Sequence, residues 1–201
     1  MNTAGWPHLS LGPQDLAAYT DLYELTMAAG HFAENMRGQA VFELAARNLP
    51  PNRSYLVCAG LEQALAYLRD ARFSPGTIRY LRSQPALASA KPGFWRWLAA
   101  FRFSGDVWAM PEGSLAFAHE PLLFVRAPIM EAQIVETYLL AAIGGQSAVA
   151  SKAARIVQAA QGRPVLDFGA RRTHGPQAGV MAARACYIAG CPATSNVLAG
   201  Q

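Results

Sequence analysis

The chain has 201 residues, 52% of them hydrophobic and 15% charged, with a formal net charge of +4. That balance is ample for a buried core and excludes a disordered tail, and the length suits one large domain or two small ones. The positive charge is almost entirely arginine, since Lys91 and Lys152 are the only lysines. The arginines are scattered rather than clustered, which speaks against a nucleic-acid partner.

In chain order, "MNTAGWPHLSLGPQ" lacks the charged start and apolar run of a leader. "YTDLYELTMAAGHFAEN" reads as a helix with Thr20 as N-cap, Glu24 nearby, and Leu22, Leu25, Ala29 and Phe32 near one face. "QAVFELAARNLPPNRSYLVCAG" reads as two strands joined by a Pro- and Asn-rich turn. "LEQALAYLRDARF" is a helix closed by Pro75-Gly76, and "GTIRYLRS" a second short one. "SQPALASAKPG" is a loop, and the aromatic "GFWRWLAAF" a short packed helix. "FRFSGDVWAM", "SLAFAH" and "PLLFVRAPI" are strand-like pieces of a hairpin-rich sheet. Residues 131–160 have a helical pattern with a break expected at Gly144-Gly145.

The last segment has a different texture. "GRPVLDFGA" is a short strand, "GPQAGVMAARACYIAG" a helix with Pro176 near its first turn and Gly190 at its end, and "CPATS" a further strand. Strand, helix, strand in succession demands a parallel pair. Loops at the carboxyl ends of parallel strands share one rim, and ligands collect there. The first strand empties into Gly169, Arg171, Arg172, Thr173 and His174, the second into Thr194, Ser195 and Asn196. Arginine forks and hydroxyls on one rim suit a small anion such as a phosphorylated sugar. Cys58, Cys186 and Cys191 are too few for a disulfide framework and lack further ligands at zinc spacing, so they read as small buried apolar groups. No uninterrupted apolar run reaches the roughly twenty residues of a membrane span. A cytoplasmic protein without membrane contact is expected.

Eight stretches, "TDLYELTMA", "VFELAARNLP", "YLVCAGLEQAL", "MPEGSLAFAHEPLL", "QIVETYLL", "VASKAARI", "LDFGARRTHGP" and "TSNVLAG", together resemble nicotinate phosphoribosyltransferases in the same order over nearly the whole chain. The resemblance implies an α/β fold: a mixed N-terminal domain over residues 1–130, then the start of an irregular α/β barrel over 131–201. It implies an ATP-coupled enzyme of NAD biosynthesis that joins nicotinate to 5-phosphoribosyl 1-diphosphate, with Mg2+ on the phosphates, acting as a homodimer. Family members are about twice as long, so the chain is expected to be an N-terminal portion, inactive alone.

The resemblance also assigns residues. Tyr23 matches an aromatic that stacks on the pyridine ring across the dimer interface; by itself it reads as an ordinary helix-face tyrosine. Arg171 matches an arginine at the phosphate and base end of the site. Arg172 is open between a second contact and an ordinary salt bridge, and Phe168 between ring stacking and core. Ser195 matches a position where nicotinate users carry a hydroxyl and nicotinamide users an acid; a helix N-cap is its bland alternative. His174 is not assigned as the family's phosphorylated histidine, which the resemblance places beyond "NVLAGQ"; it reads as a loop residue ordering "RRTHGP". His8, His31 and His119 have no partner motif. No catalytic residue and no metal ligand is assigned within these residues. Two alternatives stay open: a non-catalytic module pairing with a full-length copy, and a nicotinamide-using relative, against which Ser195 speaks.

Overall fold

The computed structural model describes Gly12 and residues 16–201. The remaining N-terminal residues, with His8 and most of the stretch read as not being a leader, lie outside the described residues. The elements in order are α1 (Leu22–Ala33), β1 (Gln39–Ala45), β2 (Leu56–Val57), α2 (Leu61–Asp70), α3 (Pro75–Arg82), α4 (Pro92–Ala99), β3 (Asp106–Ala109), β4 (Leu115–Ala116), β5 (Pro121–Pro128), α5 (Ile129–Ile134), α6 (Glu136–Ala159), β6 (Leu166–Asp167), α7 (Pro176–Ile188) and β7 (Ala193–Thr194). Three sheets result, in the orders β1-β5-β3, β2-β4 and β6-β7. Helices and strands thus mix as an α/β fold requires. Among the described residues no helix is long and apolar enough to cross a membrane.

The chain divides into two compact units. One takes in residues up to Phe42, Leu65–Val107 and Val125–Tyr138; the other Glu43–Ala64, Trp108–Phe124 and Leu139–Gln201. In the first unit α1 begins one residue later than the Thr20 cap predicts. Asp21 is the N-cap, and its N–H donates to the Glu24 carboxylate at 3.2 Å. The Thr20 hydroxyl instead reaches Glu24 and the Ile134 carbonyl. Glu24 is fully buried, and its oxygens also accept from the Thr137 N–H at 3.2 Å and the Thr137 hydroxyl at 2.7 Å. Burial pushes this carboxyl up, and the hydroxyl and backbone donors oppose that shift. The aromatic segment forms α4 as expected. Phe94, Leu98 and Phe101 are buried, and Phe101 meets Phe73 edge-on at 5.4 Å. Pro75 starts α3 where it was read as a helix end, with the Ser74 hydroxyl accepting from Thr77 N–H at 3.1 Å.

Two expectations are corrected. The long helical stretch breaks at Val135, between α5 and α6, and Gly144 and Gly145 lie inside α6. Two interior glycines cost about 2 kcal/mol relative to alanine. That is offset by buried groups on either side, Leu139, Ala142 and Ile143 before them and Gln146, Ser147, Ala150 and Ser151 after. The hairpin-rich reading of β3, β4 and β5 also changes. β3 and β5 are neighbours, but β4 pairs antiparallel with β2, Leu56 opposite Ala116 and Val57 opposite Leu115.

The second unit is organised by α6 and α7. Ser147 and Ser151 stand one turn apart on α6 and serve the β2 segment as a strand edge would. Val57 N–H donates to Ser151 Oγ at 2.8 Å, and Ala59 N–H to Ser147 Oγ at 3.1 Å. Each hydroxyl then donates its own hydrogen, Ser147 to the Ala59 carbonyl and Ser151 to the Ser147 carbonyl. Small side chains permit this approach: Val57, Ala59, Ala150 and Ala185 form the buried cluster beside it. Gly60 follows with φ +98°, and a Cβ there would lie 2.5 Å from the Ala142 carbonyl oxygen.

Gly60 also opens the N-terminus of α2, where free N–H groups attract an anion. Glu112 supplies it. Its Oε1 accepts from Gly60 N–H at 2.6 Å and Leu61 N–H at 3.0 Å. Arg184 of α7 grips the same carboxylate with both Nη atoms, at 2.9 and 2.7 Å, and reaches Glu62 at 2.5 Å. Arg184 chiefly, with the two backbone donors, holds the Glu112 carboxyl below its ordinary value against the opposing effect of burial. A depressed folded value means stabilisation that is complete above the unfolded pKa, about 4.3, and is lost as pH falls through the folded one. Glu112→Gln is therefore expected to cost about 1.5–3 kcal/mol near neutral pH, with the difference from wild type shrinking in acid. Urea unfolding across pH checks this, and a pH-independent difference contradicts it.

Candidate functional site

β6 and β7 run parallel, with Leu166 opposite Ala193 and Asp167 opposite Thr194, and Ser195 N–H extends the ladder to the Asp167 carbonyl at 2.9 Å. The strand–helix–strand reading holds, and the loops leaving both strands do share a rim. After β6 the chain makes a one-turn 3-10 helix, Ala170–Arg172, with Arg172 N–H bonded to the Gly169 carbonyl at 2.7 Å. Thr173 then locks the loop: its hydroxyl lies 2.9 Å from the Ala170 carbonyl and 3.1 Å from that of Gly175. This is the role expected of His174, whose ring is exposed and makes no hydrogen bond among the described residues. Gly175 enters α7 at φ +114°, and Gly179 one turn on is so close that a Cβ would lie 3.2 Å from Thr173 Oγ1.

These loops enclose an open cavity of about 530 Å³ whose lining includes Arg171, Thr173, Gly175, Ser195, Asn196 and Leu198. Arg171 and Ser195, predicted from opposite strands, therefore meet in one cavity. No acceptor among the described residues engages the Arg171 guanidinium, so its five donors are available to an anion. The Ser195 hydroxyl is likewise exposed, and it is Asn196 rather than Ser195 that caps the next turn, its Oδ1 accepting from Ala199 N–H at 3.4 Å.

Arg172 and Phe168 stand on the same loop but outside the cavity lining. Arg172 reaches the Arg171 carbonyl at 3.4 Å rather than forming a salt bridge, and Phe168 is 71% exposed within this chain. Tyr23 belongs to the other unit. It lies on α1 with Leu22 and Met27, all three exposed, and its hydroxyl donates to Glu136 Oε1 at 3.1 Å. Partial loss of hydration first, then the bond to Glu136 and the negative charge of Glu136, Glu24 and Asp21, push the phenol up to about 12. The three cysteines are free, Cys58 and Cys191 buried and Cys186 half-buried. Among the described residues no group of three His, Cys, Asp or Glu could hold a metal ion. Asp167, which ties the two rim loops together through Thr194, is not singled out by the sequence; a carboxylate at the end of a strand two residues before a glycine is its one signal.

The sequence family described as the nicotinate phosphoribosyltransferase (NAPRTase) N-terminal domain matches residues 19–144. The chain belongs to the nicotinate phosphoribosyltransferase family. It is 53% identical over 185 residues to nicotinate phosphoribosyltransferase pncB2 of Mycobacterium tuberculosis, covering 92% of this chain and 39% of that one. It is 39% identical over 187 residues to nicotinate phosphoribosyltransferase of Bacillus subtilis, covering 92% and 38%. The crystal structure of human nicotinic acid phosphoribosyltransferase superposes with a TM-score of 0.83 at 38% identity, over 90% of this chain and 37% of that one. The chain thus spans about two-fifths of the length of these relatives. The family match contains Tyr23 and the Glu112 loop, whereas the rim of β6 and β7 lies after it.

Because Glu136 contributes both a hydrogen bond and a charge to the Tyr23 phenol, Glu136→Gln is expected to return that phenol toward its ordinary pKa near 10. Ultraviolet titration of tyrosinate, with Tyr23→Phe to assign the transition, measures it. A Tyr23 transition unmoved by Glu136→Gln contradicts the contact.

Proposed function

We propose that this chain forms the nicotinate-recognising portion of a cytoplasmic, homodimeric nicotinate phosphoribosyltransferase. The complete enzyme joins nicotinate to 5-phosphoribosyl 1-diphosphate with ATP hydrolysis, giving nicotinate mononucleotide and pyrophosphate for NAD biosynthesis. The observation that carries the reading is the convergence of the unpartnered Arg171 guanidinium and the Ser195 hydroxyl in one cavity. Residues 1–130 as N-terminal domain and 131–201 as the opening of the barrel belong to the same proposal.

The chemistry follows from the side chains. Arg171 offers a planar fork that pairs with two oxygens of a phosphate or carboxylate. The Ser195 hydroxyl can donate to the nicotinate carboxylate, whereas an acid at that place would repel it and favour the neutral amide. Arg172 adds positive charge beside Arg171 and steers anions toward the rim. Phe168, exposed on the same loop, offers an aromatic face to the pyridine ring. Tyr23 serves the same ring from a second copy, a role supported by its exposure with Leu22 and Met27 on α1. ATP and Mg2+ belong to the complete enzyme. No described residue is assigned to the metal, which is carried chiefly by substrate phosphates and water with one or two carboxylates.

Arg171→Ala is expected to weaken nicotinate mononucleotide binding roughly ten- to a hundredfold, the scale of a lost charge-assisted bidentate contact. Arg171→Lys should be nearly as damaging, because lysine lacks the fork. Calorimetry reads both, and unaltered affinity contradicts the assignment. In a chain completed with the remaining C-terminal part of the Mycobacterium tuberculosis relative, Ser195→Asp should shift the kcat/KM ratio from nicotinate toward nicotinamide. An unchanged ratio removes Ser195 from base selection.

A further inference from the structure

The two cavity groups stand on different loops, each folded by its own contacts, and the spacing between the loops is a separate matter. What they share is Asp167, at the last position of β6, half-buried and outside the cavity lining. Its Oδ1 accepts from Gly169 N–H at 2.9 Å, which fixes the start of the turn that presents Arg171. Its Oδ2 accepts from the Thr194 hydroxyl at 2.7 Å. Thr194 Oγ1, its hydrogen committed to Asp167, in turn accepts from Asn196 N–H at 3.1 Å. The Asp167 backbone carbonyl accepts from Ser195 N–H at 2.9 Å. One residue therefore indexes both loops, one oxygen to each, and a carboxylate serves both donors as they stand.

We propose that Asp167 is the positioning residue that sets the spacing of Arg171 and Ser195, so that both reach one anionic ligand. This rests on the reading that the rim takes nicotinate mononucleotide. Asp167 touches no ligand; it acts through the two loops. Asparagine keeps the shape but brings a donor to one of two places that need an acceptor. Facing Gly169, the amide meets another N–H. Facing Thr194, it turns the hydroxyl into an acceptor whose proton must find another partner, and the Oγ1 lone pairs, now shared with the amide, hold Asn196 N–H less firmly.

The test uses the 201-residue chain, isotopically labelled, with amide hydrogen exchange read residue by residue. Asp167→Asn is expected to speed exchange at Gly169 or Asn196 about tenfold, the scale of one hydrogen bond, while the Ser147 and Ser151 contacts to β2 keep the Val57 and Ala59 amides protected. Thr194→Val, which keeps the carboxylate, should release Asn196 alone, and adding Asp167→Asn to it should release Asn196 no further. Calorimetry with nicotinate mononucleotide should show Asp167→Asn binding about tenfold more weakly than wild type on the same scale. Unchanged exchange at Gly169 and Asn196 overturns the proposal. So does full affinity in Asp167→Asn when Arg171→Ala has lost it. A wild-type chain with no affinity for nicotinate mononucleotide overturns the ligand assigned above, and the clamp then stands or falls on the exchange data. Should Asp167→Asn fail to fold, Thr194→Val decides by the same Asn196 readout.

Discussion

The second unit depends on one carboxylate facing one guanidinium. Glu112 closes the N-terminus of α2 and at the same time takes both Nη atoms of Arg184 on α7. α7 is the helix that connects β6 to β7, so whatever fixes α7 fixes the loop that enters it and the strand that leaves it. The pair is only partly shielded, with side chains 31% and 20% exposed. Its strength therefore comes from bidentate geometry and from the two backbone donors rather than from deep burial. Ser147 and Ser151 complete the frame by holding β2 against α6 through hydroxyls used in both directions.

On that frame the rim needs little machinery. Two short parallel strands bring two loops to the same end, Thr173 folds one loop onto itself, and Gly179 lets α7 lie against it. The guanidinium of Arg171 is left without an internal partner, which is costly unless solvent or an anion serves it. The geometry thereby separates two kinds of arginine in one chain. Arg184 is consumed by Glu112 and Glu62 and works for the fold, while Arg171 lines the open cavity with no acceptor among the described residues, as the proposed ligand role requires.

Much of this was legible in the sequence. Periodicity and turn residues located α1, α2, α4 and α7, and the order strand–helix–strand gave the parallel β6–β7 pair and the shared rim. That order alone put Arg171 and Ser195 on one rim among other residues, and the family resemblance singled them out. What was hidden depends on partners distant in sequence. Nothing local says that α6 runs through Gly144 and Gly145, because the groups that offset the glycines are buried by tertiary packing. β4 looks like a hairpin strand until β2 claims it. Glu112 and Arg184 lie 72 positions apart and each reads alone as a surface charge. His174 drew attention in the loop, but the ordering hydroxyl belongs to its neighbour Thr173. Phe168 is exposed within this chain, and a strand-end aromatic cannot be placed without knowing what covers it.

The central claim is that one anionic ligand is held by both loops at once. Adding nicotinate mononucleotide to the isotopically labelled chain and following backbone amide shifts tests it most directly. The account predicts saturable shifts concentrated in residues 169–176 and 194–199, with both loops reporting the same dissociation constant. Shifts confined to one loop, two different constants, or shifts centred elsewhere in the chain would contradict it.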